Sequence, residues 1–380
     1  MTATLRKIEF YKHDLGAEEL ASLQKTLGSL FLTTGPRVAE FERGLGEYLG
    51  VPHVVGVTSC TEGLMLALMA FGVGAGDEVI TTPMTFIATP NSALYVGATP
   101  VFVDVDPQTA LIDPEAVEAA ITPKTKAIIA VHLYGQMADV KRLRQIADKH
   151  HLVLIEDSAH GVEMRRDGAA PGQVGDAAVF SFYATKTITS GDGGAIAVRD
   201  PAIAERLRRL RNHGMSKDAA SRYTGSYKHW DMVELGYKCG LSDLDAALLL
   251  PQLPRLDKRC ASREAAVRKY EELLTGVEGI RLLKWTGRSA HHLFTFLAPQ
   301  GRRDAMLEAL GARNIGVAVN YRAVHLLSYY RERFGFKPGA FPQAEEIGDR
   351  TLTLPLYPWI SLDDVAYVVG HVRDVIAGAA

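Results

Sequence analysis

The stretch Ser181-Phe182-Tyr183-Ala184-Thr185-Lys186-Thr187-Ile188-Thr189-Ser190-Gly191-Asp192-Gly193-Gly194 decides the fold. An apolar run, Ala177 to Phe182, leads into it, and a second, Ala195 to Val198, leads out. Lys186 therefore stands in the connection between two buried strands, just ahead of a glycine-rich turn. Burial disfavours a charged ammonium because it strips away hydration. A lysine held neutral becomes a nucleophile able to form a Schiff base. A lone lysine is most often solvated. The weight here comes from its company: Ser181 lies just before it, and Asp157 ends the preceding apolar run.

Working outward, apolar runs occur at Val54–Ser59, Glu78–Pro83, Pro100–Val105, Ala127–His132 and Leu152–Asp157, before Ala177–Phe182 and Gly194–Val198. Helical patterns separate most of them: Thr61–Phe71, Ile87–Val96, Pro114–Ala120 and Val140–His150. This alternation predicts an α/β fold with a seven-stranded, mostly parallel sheet covered on both faces. The last two strands are joined by a glycine turn too short for a crossover helix. The final strand should then run antiparallel to its predecessor or not be its neighbour. Gly72 to Gly76 ends a helix and precedes a strand, so it reads as a helix end rather than a dinucleotide loop.

Upstream, Glu18–Leu27 and Arg37–Leu49 read as helices around the turn Phe31–Pro36. Downstream, a helical stretch runs from Leu241 to Leu274, interrupted at Pro251 and Pro254, where proline removes a hydrogen bond. Leu293–Ala298 and Ile315–Tyr321 read as strands, Arg303–Arg313 and Asp363–Ala377 as helices. The expected division is an arm and large domain over 1–245 and a smaller C-terminal α/β domain over 246–380.

The chain has 380 residues, 47% hydrophobic and 23% charged, with a net charge of −2. That is an ordinary soluble globular composition. No basic run points to nucleic acid, and no apolar stretch is long enough to span a membrane. Met1 to Lys12 lacks the apolar region of a signal peptide. Cys60, Cys239 and Cys260 are dispersed and odd in number. They fit a reducing cytoplasm and give neither a disulfide framework nor a metal site.

In open α/β sheets, ligands sit beyond the carboxyl ends of the parallel strands. Cys60-Thr61-Glu62 opens a helix there, and its amides suit an anion. Phe86 brings an aromatic ring to the same edge. Asp157 and His160 follow another strand, and Ser181 and Lys186 a third. A phosphate cradle, an aromatic face, a carboxylate and a buried lysine are what pyridoxal phosphate requires.

The motifs carry a resemblance. They include Thr33-Thr34-Gly35-Pro36, Gly76-Asp77-Glu78-Val79-Ile80, Thr85-Phe86-Ile87-Ala88-Thr89 and Val131-His132-Leu133-Tyr134-Gly135. They continue with Ile155-Glu156-Asp157-Ser158-Ala159-His160, Ser181-Phe182 with Lys186, Arg211-Asn212-His213-Gly214-Met215, Gly236-Tyr237-Lys238 and Leu354-Pro355-Leu356-Tyr357-Pro358. Nearly the whole chain resembles the sugar aminotransferases of the DegT/DnrJ/StrS family, of the type I pyridoxal-phosphate fold. The resemblance implies that Lys186 carries the cofactor and shuttles protons. Asp157 would pair with the ring nitrogen, Phe86 stack on the ring and His160 order that edge. Ser181, Cys60 and Thr61 would cradle the phosphate, with Lys238 reaching it from the other subunit of a homodimer. Cys60 stands where the family usually has glycine or alanine, and Lys238 where many members have asparagine.

The implied reaction is ping-pong transfer of an amino group from L-glutamate to a nucleotide-linked keto sugar, with C4 of a UDP-linked 4-keto sugar the nearest pattern. C3 amination of a dTDP-linked keto sugar and amination of a cyclitol ketone stand beside it. A sugar dehydratase would have histidine in place of Lys186, and nothing in the chain suggests a regulatory DNA-binding segment. Thr34, Tyr183, Tyr321 and His325 are candidate substrate contacts. The cluster Arg211, Lys217, Arg222, Lys228 and Lys238 supplies charge for a diphosphate, with Arg222 and Lys228 foremost.

Overall fold

The structure is a computed structural model that describes residues 5–216 and 229–378. Its larger sheet has seven strands: β1 His53–Val57, β2 Glu78–Thr81, β3 Thr99–Phe102, β4 Thr125–Val131, β5 Val153–Asp157, β6 Ala177–Ser181 and β7 Gly194–Val198. Their spatial order is β1-β7-β6-β5-β4-β2-β3. The pairings among β3, β2, β4, β5 and β6 are parallel. β7 lies antiparallel to both β6 and β1. It is thus the direct neighbour of β6, reversed by the short glycine connection. The carboxyl ends of β1, β2, β4, β5 and β6 meet along one edge, and the connection carrying Lys186 lies on that edge.

Burial on both faces explains why these strands read as unbroken apolar runs. The helix Cys60–Ala70 covers one face and is buried almost all round. Gly63 lets it approach closely: a Cβ there would lie 2.6 Å from Val179 Cγ1 on β6. The helices Pro36–Leu49 and Asp243–Leu249 cover the other face. Phe41 meets Phe182 edge-on, with ring centroids 5.3 Å apart. The helix Pro36–Leu49 begins at a glycine, which has no side chain to cap it. Asp243 supplies the cap instead, accepting the amides of Gly35 at 2.8 Å and Val38 at 3.0 Å.

A second sheet holds β8 Arg281–Leu282, β9 Phe294–Leu297 and β10 Thr351–Leu354, in the antiparallel order β10-β9-β8. The helices Leu256–Leu274 and Leu362–Ala377 build its core, where Tyr270 stacks on Phe294 at 4.7 Å. The helix expected over 241–274 is broken where the prolines stand. A 3₁₀ segment, Leu250–Arg255, separates Asp243–Leu249 from Leu256–Leu274. The glycine-rich turn after the helix Cys60–Ala70 has left-handed Gly72 and Gly76, as a helix end requires.

The segment Ile315–Tyr321 does not form the expected strand. It touches Ile8 on one side and Thr353 on the other through isolated bridges at Ile315 and Ala318. The N-terminal arm crosses so closely that a Cβ on Gly316 would sit 2.3 Å from the Phe10 nitrogen. The segment's backbone hydrogen bonds are shared between two partners, so no ladder forms. The arm is tied down again where the Arg259 guanidinium bonds Asp14 at 2.6 Å. Among the described residues, no helix is long and apolar enough to cross a membrane.

Two glycine substitutions separate close approach from backbone entropy. Gly63→Ala should lower stability by about 1–3 kcal/mol, since Val179 is stiff and buried. Gly370→Ala, at an exposed position of the helix Leu362–Ala377 with nothing within 4 Å of the added atom, should raise it by about 0.5–1 kcal/mol. Urea midpoints of the two variants check both signs.

Candidate active site

A cleft of about 550 Å³ opens between the carboxyl edge of the large sheet and the segment Asn320–Tyr321. Lys186 lies at its base. The loop that presents it is pinned at both ends. The Phe182 amide donates to Gly193 O at 2.9 Å, and the Ser190 amide donates to Phe182 O at 3.1 Å. Gln252 adds two bonds to Thr189, at 3.2 and 2.7 Å. Burial lowers the Lys186 amine from its ordinary value to about 8, against the opposing pull of Cys60 and Asp157.

Asp157 ends β5 and faces the same cleft. The Thr89 hydroxyl donates to its Oδ2 at 2.7 Å, and the Ala159 amide to its Oδ1 at 3.2 Å. Because Thr89 gives its proton to Asp157, the Thr85 hydroxyl 2.8 Å away must be the donor to Thr89. The Cys60 thiol lies 3.9 Å from Asp157 Oδ1, and burial raises its pKa well above the usual thiol value. Glu156, one residue earlier, faces the other way. It holds His132 Nε2 at 2.8 Å and accepts the amides of Gly172 and Gly175. Strand alternation thus gives one carboxylate to the cleft and the other to the loop before β6.

Ser59 caps the helix Cys60–Ala70, accepting the Glu62 amide. Ser59, Cys60 and Thr61 line the cleft, so the first turn of that helix brings unsatisfied amides to it. Ser181 stands at the end of β6 on the adjoining wall.

Comparison with known proteins agrees with this geometry. The model of the DegT/DnrJ/EryC1/StrS aminotransferase family matches residues 13–373. The chain belongs to that family. It is a pyridoxal-phosphate-dependent aminotransferase, and its seven-stranded sheet matches those of such enzymes. It is 42% identical to the spore coat polysaccharide biosynthesis protein SpsC of Bacillus subtilis, over 96% of each chain. It is 35% identical to S. venezuelae DesV, solved in complex with a ketimine intermediate, at a TM-score of 0.90 and covering 97% of this chain and 98% of that one. DesI, solved in the presence of its TDP-sugar product, is 32% identical at a TM-score of 0.88, covering 98% and 94%.

The family's expected site residues can be placed. Cys60, Thr61, Asp157, His160, Ser181 and Lys186 line the one cleft, as do Phe86, Tyr183 and Tyr321. Phe86 and Tyr183 are more than half exposed at its mouth, and Phe86 lies 5.9 Å from the Tyr321 ring. His160 Nδ1 accepts the Tyr134 amide at 2.9 Å. Its Nε2 therefore carries the proton and donates to the Tyr321 hydroxyl at 3.1 Å. Burial holds His160 well below the usual histidine pKa and pushes the Tyr321 phenol up, so both are neutral.

Three expected residues lie elsewhere. His325 does not line the cleft. It is fully buried, its Nε2 3.0 Å from Glu345 and its ring among Phe336 and Phe341, so it serves as a core histidine. Lys238 is exposed and bridges to Asn212. Thr34 lines a separate groove with Arg211. Lys217, Arg222 and Lys228 lie outside the described residues.

Sequence reasoning missed Ser59, Thr85, Thr89, Asp192 and Asn320, which line the cleft, and Tyr134 and His292 behind it. Tyr134 has a left-handed backbone, φ 60°, strained for an aromatic residue. That turn aims its amide at His160, and its hydroxyl donates to the Asn320 carbonyl. A spacing test for the Thr85–Thr89 pair, one helical turn apart, could have found those two. Among the described residues, no group of three or more acidic, histidine or cysteine side chains could hold a metal.

The Lys186 value predicts a labelling pattern. In cofactor-free protein, acetylation of Lys186 by trace acetic anhydride should rise with pH through a midpoint near 8, with exposed lysines titrating at about 10.4. Mass spectrometry of the labelled peptides reads both.

Proposed function

We propose that this aminotransferase takes its amino group from L-glutamate and delivers it to a nucleotide-linked keto sugar, in ping-pong order, at C4 of a UDP-linked 4-keto sugar. One observation carries the reading: a half-buried amine whose proton affinity desolvation lowers and an anchored carboxylate share one cleft with a helix N-terminus. The residues fit pyridoxal phosphate. Lys186 would bind it covalently, Asp157 face its ring nitrogen, and Phe86 and His160 flank the ring. Ser181 and the amides of Cys60 and Thr61 would hold its phosphate. Asn320 Oδ1, buried on the cleft wall without a partner among the described residues, suits a donor on a bound ligand. When bound, the cofactor supplies an electron sink for the carbon that loses its proton.

The chain's own groups do the rest. Asp157, held by Thr89 and Ala159, stays aimed without needing to reorganise. Lys186 near pH 8 is poised both to give and to take a proton at its Nζ around neutrality. Tyr321 and His160, both neutral, add no charge to the cleft. Similarity to DesI, solved with a TDP-sugar, supports the nucleotide-sugar class.

The test begins by treating the loaded enzyme with glutamate and removing the glutamate. UDP- and dTDP-linked keto sugars, with the carbonyl at C3 or C4, are then offered, along with a cyclitol ketone. Mass spectrometry should find a new amine at C4 of a UDP-sugar. An amine only on a dTDP-sugar, at C3 or on the cyclitol would replace that substrate. Asp157→Asn should lower kcat by about 10²–10³-fold in a folded protein, whereas Glu156, committed to the β6 loop, cannot take over.

We further infer a homodimer with shared sites, working in the cytoplasm. Trp230, Met232, Val233, Leu235 and Tyr237 are all exposed. That is an apolar run needing cover, and Lys238 follows it directly. Lys238 would then reach the phosphate in the partner's cleft, with each chain divided into an arm and large domain over 1–245 and a small domain over 246–380. Nearly inactive Lys186→Ala and Lys238→Ala proteins should regain activity on subunit exchange, because one mixed-dimer site carries neither lesion. Exchange shown by native mass spectrometry without recovery would place each site within one chain.

A further inference from the structure

Lys186 has a second side. Behind it, away from the cleft, is a space of about 20 Å³ that it lines together with Thr187, Arg263 and His292, closed by Lys12 of the N-terminal arm and by Tyr357. The space is large enough for one water molecule. His292 Nε2 lies 3.5 Å from Lys186 Nζ. Its ring is 4.8 Å from that of His160, and its amide donates to Tyr134 O at 3.2 Å, so its position is set by the surroundings.

We propose that His292 is the positioning residue for Lys186, accepting a hydrogen of the amine from behind and holding Nζ at the base of the cleft.

The chemistry of the neighbours selects histidine for this task. Arg263 and Lys12 can only donate hydrogen bonds. The Arg263 guanidinium is spent on Glu163 Oε1 at 2.6 Å and on Ala290 O at 3.0 Å, while its Nη1 is buried without a partner among the described residues. Thr187 donates to Glu163 Oε2 at 3.0 Å. The Lys12 amine sits over the Tyr357 ring at 5.4 Å. A neutral imidazole offers Lys186 a lone pair. Burial, reinforced by the positive charge of Lys186 and by His160 and Arg263, keeps His292 well below its ordinary pKa. It therefore stays an acceptor at the pH where Lys186 titrates.

On the cleft side, Lys186 is faced by Asp157 and Cys60, which raise its proton affinity. His160, Tyr183, Asp192 and Tyr321 complete that wall, and Tyr11 joins Arg263, Lys12 and Tyr357 behind. A hydrogen-bond acceptor favours the ammonium over the amine, because N–H⁺ donates more strongly than N–H. Removing it should lower the lysine's pKa and free its side chain.

The inference rests on Lys186 being the reacting amine, but its test does not. The full chain is stripped of cofactor, and Lys186 is titrated by competitive acetylation, so a failure of the proposed role for Lys186 leaves the reading of this contact intact. The expected midpoint near 8 in the unaltered protein should fall by about one pH unit in His292→Leu. His292→Gln, which restores an acceptor at similar reach, should hold the original midpoint. An unchanged midpoint in His292→Leu, or equal shifts in both variants, overturns the proposal. If His292→Leu does not fold, His292→Asn takes its place. Its shorter carbonyl falls short of Nζ, so its midpoint should drop while that of His292→Gln stays. Equal midpoints in those two also overturn it.

Discussion

The desolvation of one amine is the constraint on which the rest of this structure depends. A lysine enclosed on both sides cannot stay fully charged without partners, and its proton affinity drops accordingly. The fold meets that cost with a few groups. Asp157 and Cys60 pull the proton affinity back up from the cleft side, and His292 approaches from behind at 3.5 Å. The result is an amine that titrates near 8, while the Arg263 guanidinium beside it pairs with Glu163. That ion pair lies in a fully buried position, where removing either partner alone would leave an uncompensated charge.

Placement of the amine follows from the reversal of β7. Had the chain crossed over to a further parallel strand, the segment after β6 would have continued as a helix. Antiparallel pairing instead lets the chain turn back without a crossover helix, and the left-handed Gly191 and Gly193 make that turn. Gly194 then lets β7 start against the helix Cys60–Ala70, where a Cβ would lie 2.7 Å from the Cys60 nitrogen. The lysine loop, the carboxylate at the end of β5 and the first turn of that helix are thereby brought to one edge.

The cleft's other wall comes from residues 320–321, and Tyr134 joins the two. Its amide fixes His160 and its hydroxyl holds the Asn320 carbonyl. One residue with a strained backbone thus couples the large sheet to the segment that carries Tyr321. Strain of this kind persists where surrounding contacts determine the conformation.

By itself the sequence determined the alternation of strands and helices and the interruption at Pro251 and Pro254, and it narrowed the last strand to one antiparallel to β6 or not beside it; the pairing of β7 with β6 chose the first. It also placed Lys186, Asp157, Ser181, Cys60 and Phe86 at strand ends. Those features depend on local periodicity and on turn chemistry, which a one-dimensional pattern carries. The segment Ile315–Tyr321 misled that reading because its apolar alternation is real, yet the arm and β10 take one bridge each. His325 likewise looked like a substrate contact, and only its pairing with Glu345 in an aromatic cluster made it core. His292 and Tyr134 could be placed only by the tertiary structure, and so could the contact between Tyr321 and His160. They reach Lys186 and His160 across long stretches of chain, and no local pattern records which distant side chain will sit at hydrogen-bonding distance once the lobes close on each other.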